Sequence, residues 1–307
     1  MKNFTHIPVM PQEVTHALQI NPGGTYVDCT LGGGGHSQLI CERLTTGRLI
    51  GIDRDEAAIS AASERINSKN FTAVHGNFHD LPSILDSLGI TTVHGILIDL
   101  GVSSHQIDTP ERGFSFLRNG PLDMRMDVNS PLTAAEIVNT RDEKELVKIF
   151  FEYGEERYSR RIARAIAGRR EISPIETTLQ LAEIIETAVP KTFSGPHPAM
   201  RTFMALRIAV NNELSPLESL LRNATNFLQK GGRIAVITFH SLEDRIVKTT
   251  FANLANPCDC PRDIPYCVCG KTPSLRVLTR KPTLPSPEEI SENTRSHSAK
   301  LRIAEAI

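Results

Sequence analysis

Over its first hundred residues the chain alternates short apolar runs with amphipathic stretches, the pattern of a parallel sheet flanked by helices. Thr25–Asp28, Arg48–Ile52, Phe71–Val74 and Gly95–Leu100 read as strands, and helices are predicted over His36–Leu44, Glu56–Ile66 and Leu81–Leu88. The rhythm stops at Pro110. From there to Asn129 the sequence is loop-like, broken by Gly113, Gly120 and Pro121. From Leu132 to Asn212 only helical patterns follow, over Ala134–Val138, Lys144–Phe151, Glu155–Arg169, Thr178–Val189 and Pro198–Val210. Alternation then resumes with a helix over Pro216–Gln229, which Gly231 and Gly232 are expected to terminate as C-cap glycines. A strand over Arg233–Phe239 and a helix over Leu242–Leu254 come next. Two late apolar runs, Leu275–Thr279 and Ala299–Ala304, are placed as an edge pair. The chain thus reads as one α/β domain, residues 1–108 and 213–307, interrupted by a helical insert over 109–212.

Composition changes this picture little. With 307 residues, 40% of them hydrophobic and 22% charged, the chain can bury a sizeable core. A formal charge of -1 excludes a protein that holds nucleic acid by bulk charge alone, so any such contact needs a local patch. Arg157, Arg160, Arg161 and Arg164 recur at helical spacing and form one basic face suited to phosphates, or else a solvated face paired with Glu155 and Glu156. Arg295, His297, Lys300 and Arg302 add charge near the C-terminus. No apolar stretch approaches the roughly 18 to 20 residues that span a bilayer, so no membrane association is expected. Met1–Glu13 has no basic region followed by an apolar run, hence no expected signal peptide. The 6 cysteines then imply reduced thiols and a cytoplasmic setting. Four of them, Cys258, Cys260, Cys267 and Cys269, could bind zinc tetrahedrally, but their single-residue gaps are tighter than usual structural spacing. The preferred reading is reduced surface thiols, with no metal in the site chemistry.

Gly32–Gly35, between an apolar strand and a helix, carry the strongest chemical signal. Glycines at a strand's carboxyl end let backbone approach a ligand, and the helix that follows points its first N–H groups at it. A dinucleotide fingerprint starting at Gly32 would need glycine at 37, where Ser37 stands. The spacing Asp28-x-Thr30-x-Gly32-x-Gly34-Gly35 instead resembles the first motif of Rossmann-like methyltransferases, whose cofactor has no pyrophosphate. Asp53, ending the second strand, is placed to accept hydrogen bonds from ribose hydroxyls. Phe78 could line an adenine pocket, although a core role is at least as natural. Asp99 ends the fourth strand, where open α/β sheets bind ligands, and is the candidate catalytic residue for orienting an acceptor amine. Ser103 is a weaker candidate, better explained as a helix cap. The Asp-Leu-Gly-Val that begins at Asp99 departs from the Asp/Asn-Pro-Pro-aromatic loop of many amino-methyltransferases. A carbon-5 cytosine route needs a cysteine nucleophile on this loop, and none lies between Cys41 and Cys258.

Further blocks carry a full resemblance: Ile52–Asp55, Asp99–Ser104, Pro121–Met126, Arg201–Asn211, Thr238–Lys248 and Ser298–Arg302. With Val27–Ser37 they resemble the bacterial RsmH family, also called MraW, over nearly the whole chain. The resemblance implies a Rossmann-like class I methyltransferase fold, a seven-stranded mostly parallel sheet with an inserted helical domain. It implies S-adenosyl-L-methionine as cofactor, contacted by Gly34, Gly35, His36, Asp53, Phe78, Asp99 and Gln106. The implied reaction is transfer of a methyl group to the N4 amine of a cytidine in the decoding region of 16S rRNA, with the small ribosomal subunit as partner. The target base would have to leave its stack, with the helical insert walling its pocket and Phe114 and Phe116 available for stacking. Two other readings stay open: an amino-methyltransferase acting on DNA or another amine, and a nucleotide- or RNA-binding protein of the same fold without turnover.

Overall fold

The computed structural model describes residues 8–190, 195–261 and 266–307. Residues 1–7 of the stretch read for an export signal lie outside them. The chain divides into two compact units: one runs up to Gly101 and resumes at Leu214, and the other spans Val102–Glu213.

In the first unit the short apolar runs become strands β1 (Thr25–Asp28), β2 (Arg48–Asp53), β3 (Phe71–His75) and β4 (Val93–Asp99). Helices α1 (Pro11–Leu18), α2 (Gly35–Cys41), α3 (Glu56–Arg65) and α4 (Leu81–Ser87) precede and join them. The second unit carries α5 (Ser104–Asp108), α6 (Ala134–Thr140), α7 (Glu143–Gly154), α8 (Ser159–Arg170), α9 (Thr178–Ala188) and α10 (Met200–Asn211). The first unit then resumes with α11 (Leu217–Asn226), β5 (Leu228–Thr238), α12 (Ser241–Ala255), β6 (Leu275–Val277), α13 (Pro287–Glu292) and β7 (Lys300–Ala306).

The seven strands form one sheet in the order β3-β2-β1-β4-β5-β7-β6. The first five run parallel, while β7 pairs antiparallel with both β5 and β6. The parallel part is what the alternation predicts, and the seven-stranded, mostly parallel whole matches the sheet that the resemblance implies. Strand pleating divides its core in two. Ile96 and Ile98 join Leu81, Leu85, Leu221, Val247 and Phe251 in one cluster, while the intervening Leu97 joins Val14, Leu18, Ile40 and Ala62 in another. Both sheet faces are therefore covered by helices, which is why the strands read as continuous apolar runs.

Two local features differ from the sequence reading. Helix α1, which no predicted element covers, starts at Pro11, because proline at the first helical position forfeits no needed N–H. Gly231 and Gly232 do not cap the preceding helix, which ends at Asn226; they lie inside β5. There the register with β4 shifts between the Val93↔Leu228 and Gly95↔Arg233 pairs. Gly231 takes φ +79°, and a Cβ on Gly232 would come within 2.8 Å of the Gln229 carbonyl oxygen, so the pair serves a bulge.

The second unit has its own core of Leu146, Phe150, Ile162, Ile166, Leu181, Ile185, Phe203 and Leu206. Two recognised blocks are joined inside it. Met126 N–H donates to Asn211 Oδ1 at 2.8 Å, and Asn211 Nδ2 donates to the Met124 carbonyl at 2.8 Å. Arg207 grips Glu213 with two bonds of 2.9 Å. Phe116 stacks on His197 at 4.6 Å and meets Phe203 edge-on, and Phe114 packs on the same core. Among the described residues no helix is long and apolar enough to cross a membrane.

Candidate functional site

The carboxyl ends of β1, β2, β4 and β5 bring four acidic side chains to one edge of the first unit's sheet. Asp53 closes β2. Gly32 N–H donates to its Oδ2 at 2.8 Å and Asp55 N–H to its Oδ1 at 2.9 Å. Two backbone donors orient this carboxylate and leave each oxygen a further lone pair, the valence a vicinal diol requires. Burial pushes its pKa up, more than those hydrogen bonds bring it down.

Gly32 and Gly34 have φ of +49° and +73°. A Cβ at Gly32 would meet nothing nearer than the Thr30 carbonyl at 3.9 Å, so that position lies open. At Gly34 it would press to 3.0 Å on both Ala62 and Ile66, and at Gly35 to 3.2 Å on Pro8. The first glycine thus keeps space clear, while the next two bring the turn down onto α3 and the N-terminal segment. Gly34 N–H closes the turn on the Leu31 carbonyl at 2.8 Å, and α2 begins at Gly35.

Asp28 ends β1 and is 1% exposed. Ser37 Oγ donates to it at 2.7 Å and Thr30 N–H at 3.1 Å, yet burial pushes its pKa up to about 6. Asp99 ends β4, with its N–H anchored on Thr30 Oγ1 at 2.6 Å. Its Oδ2 lies 3.7 Å from Nε2 of the buried His36 in the first turn of α2. Its Oδ1 is enclosed and has no hydrogen-bond partner among the described residues. Burial, followed by the charges of Asp28 and Glu243, holds the Asp99 carboxyl well above the ordinary carboxylate range.

Glu243 is the residue that the reading of individual motifs passed over. It is 2% exposed in the first turn of α12, and its Oε2 accepts from Phe239 N–H at 2.8 Å and His240 N–H at 3.3 Å. Its own N–H donates to His240 Nδ1, completing a capping box at the end of β5. The signal was a polar residue at 240 with glutamate three positions later, just beyond an apolar strand. The loop after β4 is pressed against the same strand end: Gly101 takes φ +106°, and a Cβ there would lie 3.3 Å from the Phe239 ring. A proline or larger residue at 101 has no room for that turn, which accounts for the Asp-Leu-Gly sequence.

The buried Asp28 and Glu243 are close enough to the half-buried Asp99 for their charges to raise its pKa, so a positive charge near Asp99 would relieve that repulsion. With the Asp53 carboxylate and the open Gly32 position, the set fits a cationic nucleoside such as S-adenosylmethionine. The other expected contacts divide. Phe78 lies in a turn after β3, 9% exposed, within the core cluster of Leu81 and Leu85, with the Arg54 guanidinium 5.9 Å from its ring. Gln106 belongs to the second unit, where it is 4% exposed and its Oε1 accepts from Ser103 N–H in the capping box of α5. Ser103 is the cap of that helix.

The basic residues divide as well. Arg157, Arg160, Arg161 and Arg164 are all exposed along α8 or just before it. Glu156 is buried and accepts from Tyr158 N–H, whereas Arg164 lies 3.8 Å from Glu143. Arg302, read as part of a C-terminal basic group, is 5% exposed and engages Asp244 through two bonds of 2.6 and 3.1 Å. Its location in a sheet strand, β7, removes it from any phosphate-facing surface.

The profile of the MraW methylase family matches residues 3–307. A ribosomal RNA small subunit methyltransferase H from Carboxydothermus hydrogenoformans is 54% identical over 99% of this chain and 98% of its own length. Proteins of the same name from Symbiobacterium thermophilum and Geobacter sulfurreducens are 54% and 53% identical, covering 97% and 99% of this chain and 96% and 99% of their own. Matched from end to end by the family profile and by relatives more than half identical, the chain belongs to the MraW methylase family.

Proposed function

We propose that this chain methylates the exocyclic N4 amine of a cytidine in the decoding region of small-subunit ribosomal RNA, in the cytoplasm, with S-adenosylmethionine as methyl donor. The family and the names of its full-length relatives support the donor and the ribosomal RNA. The observation that carries the choice of an amine is the enclosed, unpartnered Oδ1 of Asp99 at the end of β4.

When bound, the cofactor supplies an electrophilic methyl group on a sulfonium centre. The residues do the rest. Asp53 holds the ribose hydroxyls with the lone pairs its two backbone donors leave over. Gly34 and Gly35 set the turn, and His36 flanks Asp99. Asp99 accepts a hydrogen bond from the amine, fixing its lone pair towards the methyl group, and takes the proton that the nitrogen sheds as the new bond forms. Its raised proton affinity suits that step, and positive charge near Asp99 returns it to the ionised form the step requires.

The direct test incubates the protein and labelled S-adenosylmethionine with small subunits lacking the modification, then digests the RNA and identifies nucleosides by mass spectrometry. N4-methylcytidine is the expected product. Label at another atom would refute the assignment to N4, and label only in DNA would refute the RNA substrate. Asp53→Ala is expected to raise the cofactor Kd about tenfold to a hundredfold, the loss of one charge-assisted hydrogen-bonding group, as measured by calorimetry. The exposed row on α8 is the proposed phosphate contact. Arg160→Glu with Arg161→Glu is expected to weaken RNA binding and flatten its dependence on salt, leaving cofactor affinity unchanged. An unchanged salt slope would show that this face does not meet RNA.

A further inference from the structure

Between α12 and β6, over residues 256–274, the described residues contain neither helix nor strand. Apolar burial does not hold this segment together, since Tyr266 is 74% and Val268 69% exposed. A loop of this length needs another source of order. All four of its cysteines nonetheless converge, with their Sγ atoms within 4.8 Å of one another. Cys258 and Cys267 lie 3.6 Å apart, Cys260 and Cys267 3.8 Å, and Cys267 and Cys269 3.3 Å.

Those separations discriminate between chemistries. A disulfide would bring two sulfurs to about 2.05 Å. Four thiolates about 2.3 Å from a central zinc ion stand about 3.8 Å from each other along the edges of the tetrahedron. The observed spacing is close to the second. The surroundings also suit a metal thiolate. Val268 N–H donates to Cys260 Sγ at 3.3 Å, the kind of hydrogen bond that holds a metal thiolate, and Lys271 ties the loop together through its ion pair with Asp259. Ser274 N–H meets the Leu254 carbonyl at 3.0 Å, so the loop leaves and re-enters the fold at one place.

We propose that Cys258, Cys260, Cys267 and Cys269 form a structural tetrathiolate zinc site that orders the 256–274 loop. The single-residue gaps that count against zinc in the sequence matter less in three dimensions, because each Cys-x-Cys pair only has to supply two corners of one tetrahedron. A closed shell of four thiolates leaves no position for substrate, so the ion has no part in methyl transfer.

The test uses the full chain, purified without a metal-chelating tag from zinc-supplemented cells. Metal analysis is expected to find about one zinc per chain. Exchange for cobalt is expected to give the intense visible absorption of a tetrahedral thiolate complex. Cys258→Ser with Cys267→Ser is expected to lose the metal and to be cleaved in the loop at least about tenfold faster by protease, because the apo loop keeps little besides the exposed Lys271–Asp259 ion pair to hold it. The double variant is expected to bind S-adenosylmethionine as the parent does, which separates loss of the site from loss of the fold. A folded, cofactor-binding protein without zinc, in which four thiols titrate at once, would overturn the proposal. So would two disulfides by mass, or bound iron in place of zinc.

Discussion

Replacing Asp99 with asparagine is expected to lower kcat about a hundredfold to ten-thousandfold, the range for removing a positioned proton acceptor, while the cofactor Kd stays within about tenfold. The substitution keeps the shape of the side chain and the backbone anchor on Thr30, so geometry is conserved and what is lost is the group able to take the proton. A parallel loss of cofactor affinity would instead make Asp99 a binding group alone. The same variant makes an opposite prediction for stability. Burial, with help from Asp28 and Glu243, raises the Asp99 pKa in the folded state. Its contribution to stability is therefore fully present below the ordinary carboxylate range and is lost as pH rises through the folded value. Asparagine carries no such penalty. In the cofactor-free protein, the melting temperature of Asp99→Asn relative to the parent is expected to climb by a few degrees between about pH 5 and about pH 8. A flat difference would mean that ionisation of Asp99 costs the fold nothing.

The second large effect concerns Asp244, which joins two of the recognised sequence blocks by bridging α12 and β7. Arg302 contacts it through two hydrogen bonds with its side chain only 6% exposed, and Lys300 lies 3.6 Å away. Asp244→Ala leaves a buried guanidinium without its counter-ion, at a cost of roughly 3 to 5 kcal/mol. Thermal unfolding is expected to fall accordingly, and Arg302→Met in the same chain to recover part of the loss, because removing both charges is far cheaper than stranding one. Burial pushes the Asp244 carboxyl up, but the hydrogen bonds and charge of Arg302, followed by Lys300, bring it below its usual value. A depressed carboxylate stabilises above its unfolded pKa and loses that contribution as pH falls through the folded one. The deficit of Asp244→Ala is thus expected to be complete at neutral pH and to shrink below about pH 4.

Which parts of this were legible in the sequence follows from the range of the interactions involved. The strands were legible because a sheet buried on both faces demands apolar residues at consecutive positions, as in Ile96, Leu97 and Ile98. The strand-end positions of Asp53 and Asp99 were legible because the apolar runs that precede them mark where each strand stops. The bulge at Gly231 was not, since a glycine pair after an apolar helix carries the same local signal as a cap. The packing of Gly34 on Ala62 and Ile66 was equally hidden, because it depends on a helix more than two dozen residues away. Glu243 joins Asp28 and Asp99 only once β5 lies beside β4, and nothing local announces that neighbour. The four thiols were visible as a group, but their convergence on one point was not settled by the sequence, which favoured separate surface thiols.

The split of the first unit has a consequence for how the chain acquires its structure during synthesis. Strand β4 ends at Asp99 and its partner β5 begins at Leu228, so the central pairing of the sheet waits for more than a hundred intervening residues to leave the ribosome. Strand β6 is paired later in synthesis, because among the described residues its ladder is with β7, about two dozen residues further along the chain. The second unit is one continuous segment with its own core, and its helices need only near neighbours. The nascent chain is thus expected to complete its helical segment first, while β1–β4 remain an unfinished sheet with an exposed apolar edge. That half-built edge is the state in which a chaperone has most to protect.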